Sequence, residues 1–260
     1  MARQGGEKHD APGWSPDLTA GDGSTPMCFS SSASFTVAAV LVPAGIGAVR
    51  YCQDHHRGDL VPLALSPLFF AVQQALEGLV WLGIDGGGAS SLLHGAALGY
   101  LFFAYAFWLA WLPFSALRIG SERKSPLRRG FLQGLLVLGL LGGAGLWLPL
   151  ALDGALFHPQ VVQGSLAYNT TLLLQERINL GFGSSLYAVI IATPLMISRS
   201  VRLRGFGAMI LVAFLITHLA FGYAFTSLWC FFSAVFSSAL YWIIRDPLPL
   251  AEYMDTTTVS

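Results

Sequence analysis

The chain has 260 residues, is 54% hydrophobic and 13% aromatic, and has a mean hydropathy of +0.61. Only 11% of it is charged, with 14 basic against 14 acidic side chains and a formal net charge of zero, whereas globular chains average about 25%. That balance excludes an ordinary soluble surface, a basic field for nucleic acid and, for most of the length, intrinsic disorder; a multipass membrane protein is what is left.

Residues 1–26 are rich in Gly, Asp, Pro and Ser and hold no apolar run of the kind a cleavable signal peptide needs. They read as a disordered tail, or as sequence ahead of a true start at Met27, where the apolar sequence begins abruptly. A helix crosses a bilayer core with about 20 apolar residues, so runs without Asp, Glu, Lys or Arg mark the crossings. The first starts near Cys28 and stops before Arg50. The second covers residues 60–84, interrupted only by Glu77, and the third covers 86–117. Residues 130–152 and 178–198 form the fourth and fifth. Residues 205–244 carry no charge and are too long for one crossing; a break at 222–227 divides them into a sixth and a seventh. The expected fold is therefore all-α, an integral membrane bundle of seven transmembrane helices over residues 27–245. Residues 246–260 read as a polar tail.

Basic side chains gather on the cytoplasmic side of membrane proteins. The connections after the first, third and fifth spans, together with Arg245, hold eleven of the fourteen; only Arg3, Lys8 and Arg177 fall on the other side. This asymmetry predicts an outside N-terminus and a cytoplasmic C-terminus.

Three segments carry a resemblance. They are MCFSSSASF from Met27, PLALSPLFFAVQQALEGLVWL in the second span, and SLWCFFSAVFSSALYW in the last. Together they resemble a family of bacterial multipass membrane proteins of unknown function that begin Met-Cys-Phe-Ser and carry a late Trp-Cys-Phe-Phe segment. The resemblance covers residues 27 to about 245 and implies a bacterial inner-membrane protein, with no activity attached. Its motif positions here are Cys28, Phe29, Ser30, Gln74, Glu77, Gly78, Trp229 and Cys230.

Ionisable groups inside spans are costly, about 2.5–3.5 kcal/mol at a helix centre by insertion scales, and so mark candidate sites. Glu77 is the acid placed well inside a span, sharing one helix face with Gln73, Gln74 and Trp81. Other polar groups fall at the same outer depth. Cys28 opens the first span and His94 the third. His158, Tyr168, Asn169, Glu176, Arg177 and Asn179 lie before or at the fifth span, while His218, Tyr223, Trp229 and Cys230 flank the turn between the last two. An outward-opening polar pocket is one reading, and an aromatic interfacial belt is the other. In the last span Thr226, Cys230, Ser233, Ser237 and Tyr241 share a face, either bordering a hydrated path or packing closely. Gly95 and Gly99 suggest close packing too. Gly142, Gly143 and Gly145 are expected to loosen the fourth span, and Pro67, Pro113 and Pro194 to kink theirs.

Cys28 and Cys230 both fall near the outer surface and form a disulfide candidate if their Cα atoms approach within about 7 Å. Cys52 falls at the cytoplasmic end. The spacing of His94, His158, His218 and Glu77 matches no compact zinc motif, so no metal is assigned and the cofactor is left open. Lys8 and Lys124, the two lysines, lie outside the spans, which removes a retinal Schiff base. Three functions stay open. One is binding or transport of a small molecule or lipid through Gln74, Glu77, Trp81, Arg177, His218, Tyr223 and Trp229. Another is an enzyme acting on a lipid or quinone at the outer leaflet, with Glu77 as acid or base and His218 or His94 as its partner. The third is a structural or assembly subunit. The lipid bilayer is the one partner common to all three.

Overall fold

The computed structural model describes residues 30–87, 91–120, 125–170, 180–220 and 225–245. Helix α1 (Ser31–Asp54) starts where Ser30 Oγ accepts a hydrogen bond from the Ala33 N–H at 3.3 Å, satisfying one of the free donors at a helix start. A 3-10 turn (Gly58–Leu60) and the short α2 (Val61–Ala64) lead into α3 (Ser66–Asp85). Pro67 sits in the first turn of α3, where a missing N–H breaks no helical hydrogen bond. It therefore begins the helix and does not kink it as expected.

Helix α4 (Ser91–Phe102) passes through a π-helical turn (Phe103–Phe107) into α5 (Trp108–Arg118), and α6 follows as Pro126–Leu152. After the hairpin described below come α7 (Leu180–Met196), α8 (Val201–Ala220), α9 (Phe225–Ser237) and α10 (Ala239–Arg245). Pro113 and Pro194 lie inside α5 and α7. Six stretches are long and apolar enough to cross a membrane: Ser31–Asp54, Gly58–Asp85, Ser91–Arg118, Pro126–Leu152, Val201–Ala220 and Phe225–Arg245. Over Ser185–Met196, α7 adds a shorter apolar stretch. The chain folds as the apolar helical bundle of an integral membrane protein.

Close approaches at glycine set the first pair. A Cβ at Gly45 would lie 2.6 Å from Leu68 Cγ, and one at Gly78 would lie 2.7 Å from Phe35 Cζ. Position 45 meets 68 and 78 meets 35, so α1 and α3 run antiparallel with their backbones near contact. Glu77 consequently sits toward the end where α1 begins. At the opposite end, Tyr51 Oη donates to the Arg245 carbonyl at 2.7 Å and Arg57 Nη1 donates to the Ile244 carbonyl at 3.2 Å. The Gly120 N–H donates to Asp59 Oδ2 at 3.0 Å in the same region. The C-terminal ends of α1 and α10 thus meet.

Two expectations are corrected here. The glycines at 142, 143 and 145 do not loosen their helix, because α6 is continuous from Pro126 to Leu152. Gly143 instead faces Ala106, where an added Cβ would lie 2.8 Å from its Cα. The second correction is to the loop expected after α6, the bundle itself being helical as expected. Residues Phe157–Val162 (β1) and Ser165–Thr170 (β2) form an antiparallel hairpin that pairs Phe157 with Thr170 and Val162 with Ser165. Its two-residue turn has positive φ at both Gln163 (50°) and Gly164 (75°), the signature of a type I′ turn matched to strand twist. Four successive residues of β2, Ser165 to Tyr168, are buried. A strand covered on both faces loses its alternation, which is why the pattern did not announce it.

Candidate functional site

The polar side chains of α3 converge with those of α9. Ser66, Phe70, Gln73 and Glu77 recur at helical spacing, so one face of α3 carries them all. Across from it α9 presents Ser227, Cys230, Ser233 and Ser237, each buried. The sequence stripe is therefore largely right, but Ser227 takes the place expected of Thr226. A break at Ser238 separates Tyr241 onto α10.

At the head of this seam Glu77 is 2% exposed, and Gln73 and Gln74 are fully buried. Ser227 Oγ donates to Glu77 Oε1. Gln73 Oε1 accepts from Trp108 Nε1 at 2.7 Å, and the Trp108 ring stacks on Phe70 with centroids 3.8 Å apart. The Gln74 amide lies beside the Glu77 carboxyl and interacts with it. Tyr100 Oη donates to the Thr226 carbonyl at 3.3 Å, and its ring stacks on Tyr168 of β2 at 4.7 Å and 8°. Trp81 and Cys230 complete the apolar wall around these rings. The Tyr168 hydroxyl faces inward without a partner. Burial holds its phenol well above the ordinary tyrosine range.

Below the seam's head lies a cavity of about 30 Å³, bordered by Ser66, Trp108, Tyr187, Trp229, Cys230 and Ser233. That is room for about two waters. Trp229 Nε1 is buried without a partner, while Tyr187 Oη donates to the Ala104 carbonyl. Buried polar atoms are normally satisfied. The Tyr168 hydroxyl and the Trp229 indole N–H are exceptions to that rule on either side of α9.

Of the residues expected from sequence, the structure places Gln74, Glu77, Trp81 and Cys230 along the α3–α9 seam, while Trp229 packs on the other side against Tyr187, Phe214 and Phe225. It sets the histidines apart. His218 stacks on Phe214 at 5.5 Å and meets Phe225 edge-on, and His94 is exposed against Phe157 at 4.6 Å. The hydrogen bond recorded on Glu77 comes from Ser227, not from either of them. Arg177, Tyr223 and Cys28 lie outside the described residues, and with Cys28 so does the disulfide candidate. Cys52 is buried in α1 near the basic end. Among the described residues no three His, Cys, Asp or Glu side chains cluster as metal ligands would. Among the described residues the Glu77 carboxyl is enclosed, and the β2 residue Tyr168 stacks on Tyr100 beside it.

Sequence reasoning missed Tyr100, Ser227 and Tyr187. A tyrosine inside an apolar span needs a hydroxyl partner, and that requirement was the available signal at Tyr100 and Tyr105. Tyr105 Oη lies 3.5 Å from Thr170 Oγ1 on the hairpin.

The family model described as a family of unknown function (DUF6629) matches residues 27–252, and the chain belongs to that family. No curated protein and no solved structure matches it.

Proposed function

We propose, with that membership as the premise, that the chain is a seven-span protein of the bacterial inner (plasma) membrane that binds or transports a small polar molecule at Glu77. Its N-terminus lies outside and its C-terminus in the cytoplasm. Parity supports the count: α1 and α10 end together and run the same way, which requires an odd number of crossings. The 17 residues of α7 reach about 26 Å at 1.5 Å each, close to the core thickness. Arg57 and Arg245 share one end of the bundle, which agrees with the positive-inside orientation. Glu77 then falls in the outer half, beneath the hairpin.

The observation that carries the binding reading is the enclosed Glu77 carboxyl with the Gln74 amide, the Ser227 hydroxyl and the unpartnered Tyr168 hydroxyl gathered about it. These groups can both donate and accept, so their complement is a small molecule that does the same. The hairpin closure makes this an occluded form of the site, entered from the outer end when β2 withdraws. Purification of the full chain from native membranes, with mass spectrometry of released small molecules, tests it. The wild type is expected to release a polar species that Glu77→Gln lacks, and to unfold at a higher temperature than the variant while that species is bound. Identical released species and identical unfolding temperatures would refute the reading.

A further inference from the structure

A second feature lies on the outer face of α5 and α6, away from Glu77. The π-helical turn that leads into α5 approaches α6 backbone to backbone at Ala106 and Gly143. Beside that contact runs a groove of about 570 Å³, with small Ala106, Ala110 and Ala144 among its lining and Phe107, Trp111 and Trp147 along it. Its aromatic walls are fixed in place. Trp111 Nε1 donates to Ser66 Oγ and Trp147 Nε1 donates to the Leu98 carbonyl, each at 3.2 Å. Phe107 stacks on Trp111 at 5.2 Å and 18°. A groove held this way is preformed.

Its chemistry and length suit a hydrocarbon tail. The lining is apolar, and along α6 it runs from Leu136 to Leu148, about 18 Å at helical rise. Charge selects the tail's owner. Phe114, at one end of the groove, lies one turn before Arg118, the last residue of α5. Arg129 lies in the first turns of α6, and Ala116 packs with Leu132, so these two helix ends are neighbours. Neither helix contains Asp or Glu. Arg118 and Arg129 are both exposed.

We propose that this groove holds one acyl chain of an anionic phospholipid whose phosphate lies against Arg118 and Arg129. Basic positions between transmembrane helices bind anionic headgroups, and the groove supplies the tail contact that a surface charge pair lacks.

The test reconstitutes the full chain in nanodiscs of phosphatidylglycerol and phosphatidylcholine in equal amounts, and reads the retained lipid by native mass spectrometry after gentle extraction. The wild type is expected to retain phosphatidylglycerol in preference. Arg118→Gln and Arg129→Gln each lower that preference about fivefold, and Arg50→Gln on α1 leaves it unchanged. Ala110→Trp fills the groove and abolishes retention. Ala144→Leu, a milder filler, lowers it and keeps the test valid if the larger substitution fails to fold. Equal retention of the two lipids overturns the proposal, as does undiminished retention in a folded filler variant. A dimer that Ala110→Trp splits also overturns it, because a second copy would then occupy the groove.

Discussion

Gly142 and Gly143 are adjacent in α6, yet substituting each by alanine should have opposite effects. A Cβ at Gly143 would lie 2.8 Å from Ala106 Cα, 3.1 Å from its carbonyl oxygen and 3.2 Å from its Cβ. Two of these are backbone atoms, so no side-chain rotation relieves the crowding. The helices must separate by about 0.7 Å to restore ordinary carbon contact, and overpacking of this kind costs about 1–3 kcal/mol. In lipid that loss is felt fully, since helix association there relies on close van der Waals packing. Around Gly142 nothing lies within 4 Å of an added Cβ. Alanine gains about 1 kcal/mol of helix propensity at either position. That gain cancels in the comparison, which leaves Gly143→Ala about 1–3 kcal/mol less stable than Gly142→Ala. Unfolding in mixed micelles with increasing dodecyl sulfate, followed by circular dichroism, measures the difference. Free energies within about 0.5 kcal/mol of each other would refute the contact as the reason for the glycine.

Ser227→Ala removes the hydroxyl that donates to Glu77 and should cost about 1–3 kcal/mol, the penalty for leaving a buried acceptor unsatisfied; Ser227→Thr keeps the donor and should recover part of it in the same assay. Tyr168 is favoured as the neutral phenol by burial, so its contribution is intact below the ordinary tyrosine pKa of about 10 and is lost as pH rises through the elevated folded value. Hairpin docking, read by protease cleavage near Gln163, should therefore loosen in strong alkali in the wild type and less so in Tyr168→Phe; equal loosening in both would remove Tyr168 as the cause. Reporter proteins fused after residue 125 should be active only as cytoplasmic reporters, and activity of an exported reporter there would reverse the orientation.

Much of the fold was legible because the bilayer reads sequence almost additively. Scarcity of charge and the length of each uncharged run depend on composition along the chain, not on which helices touch. Glu77 stood out for the same reason: one carboxyl in an apolar run is conspicuous without any knowledge of its neighbours. Gln74 and Trp81 share its helix, and their spacing from it is legible without any neighbour.

What lay beyond the sequence were properties of pairs. Ser227 is one of several serines on α9, and only the docking of α9 on α3 makes it the donor to Glu77. Gly142 and Gly143 are chemically identical, and one becomes a helix contact because the π-helical turn at Ala106 lies on its side. The hairpin hid because its buried strand lacks alternation, and with it went the closure over Tyr100 and the inward Tyr168 hydroxyl. The one-dimensional pattern thus determined that the chain enters the membrane, about where it crosses and which acid it carries inside. Tertiary structure alone decided what meets that acid and what covers it, because hydrogen bonds and close packing depend on the spacing of atoms from segments far apart in the chain.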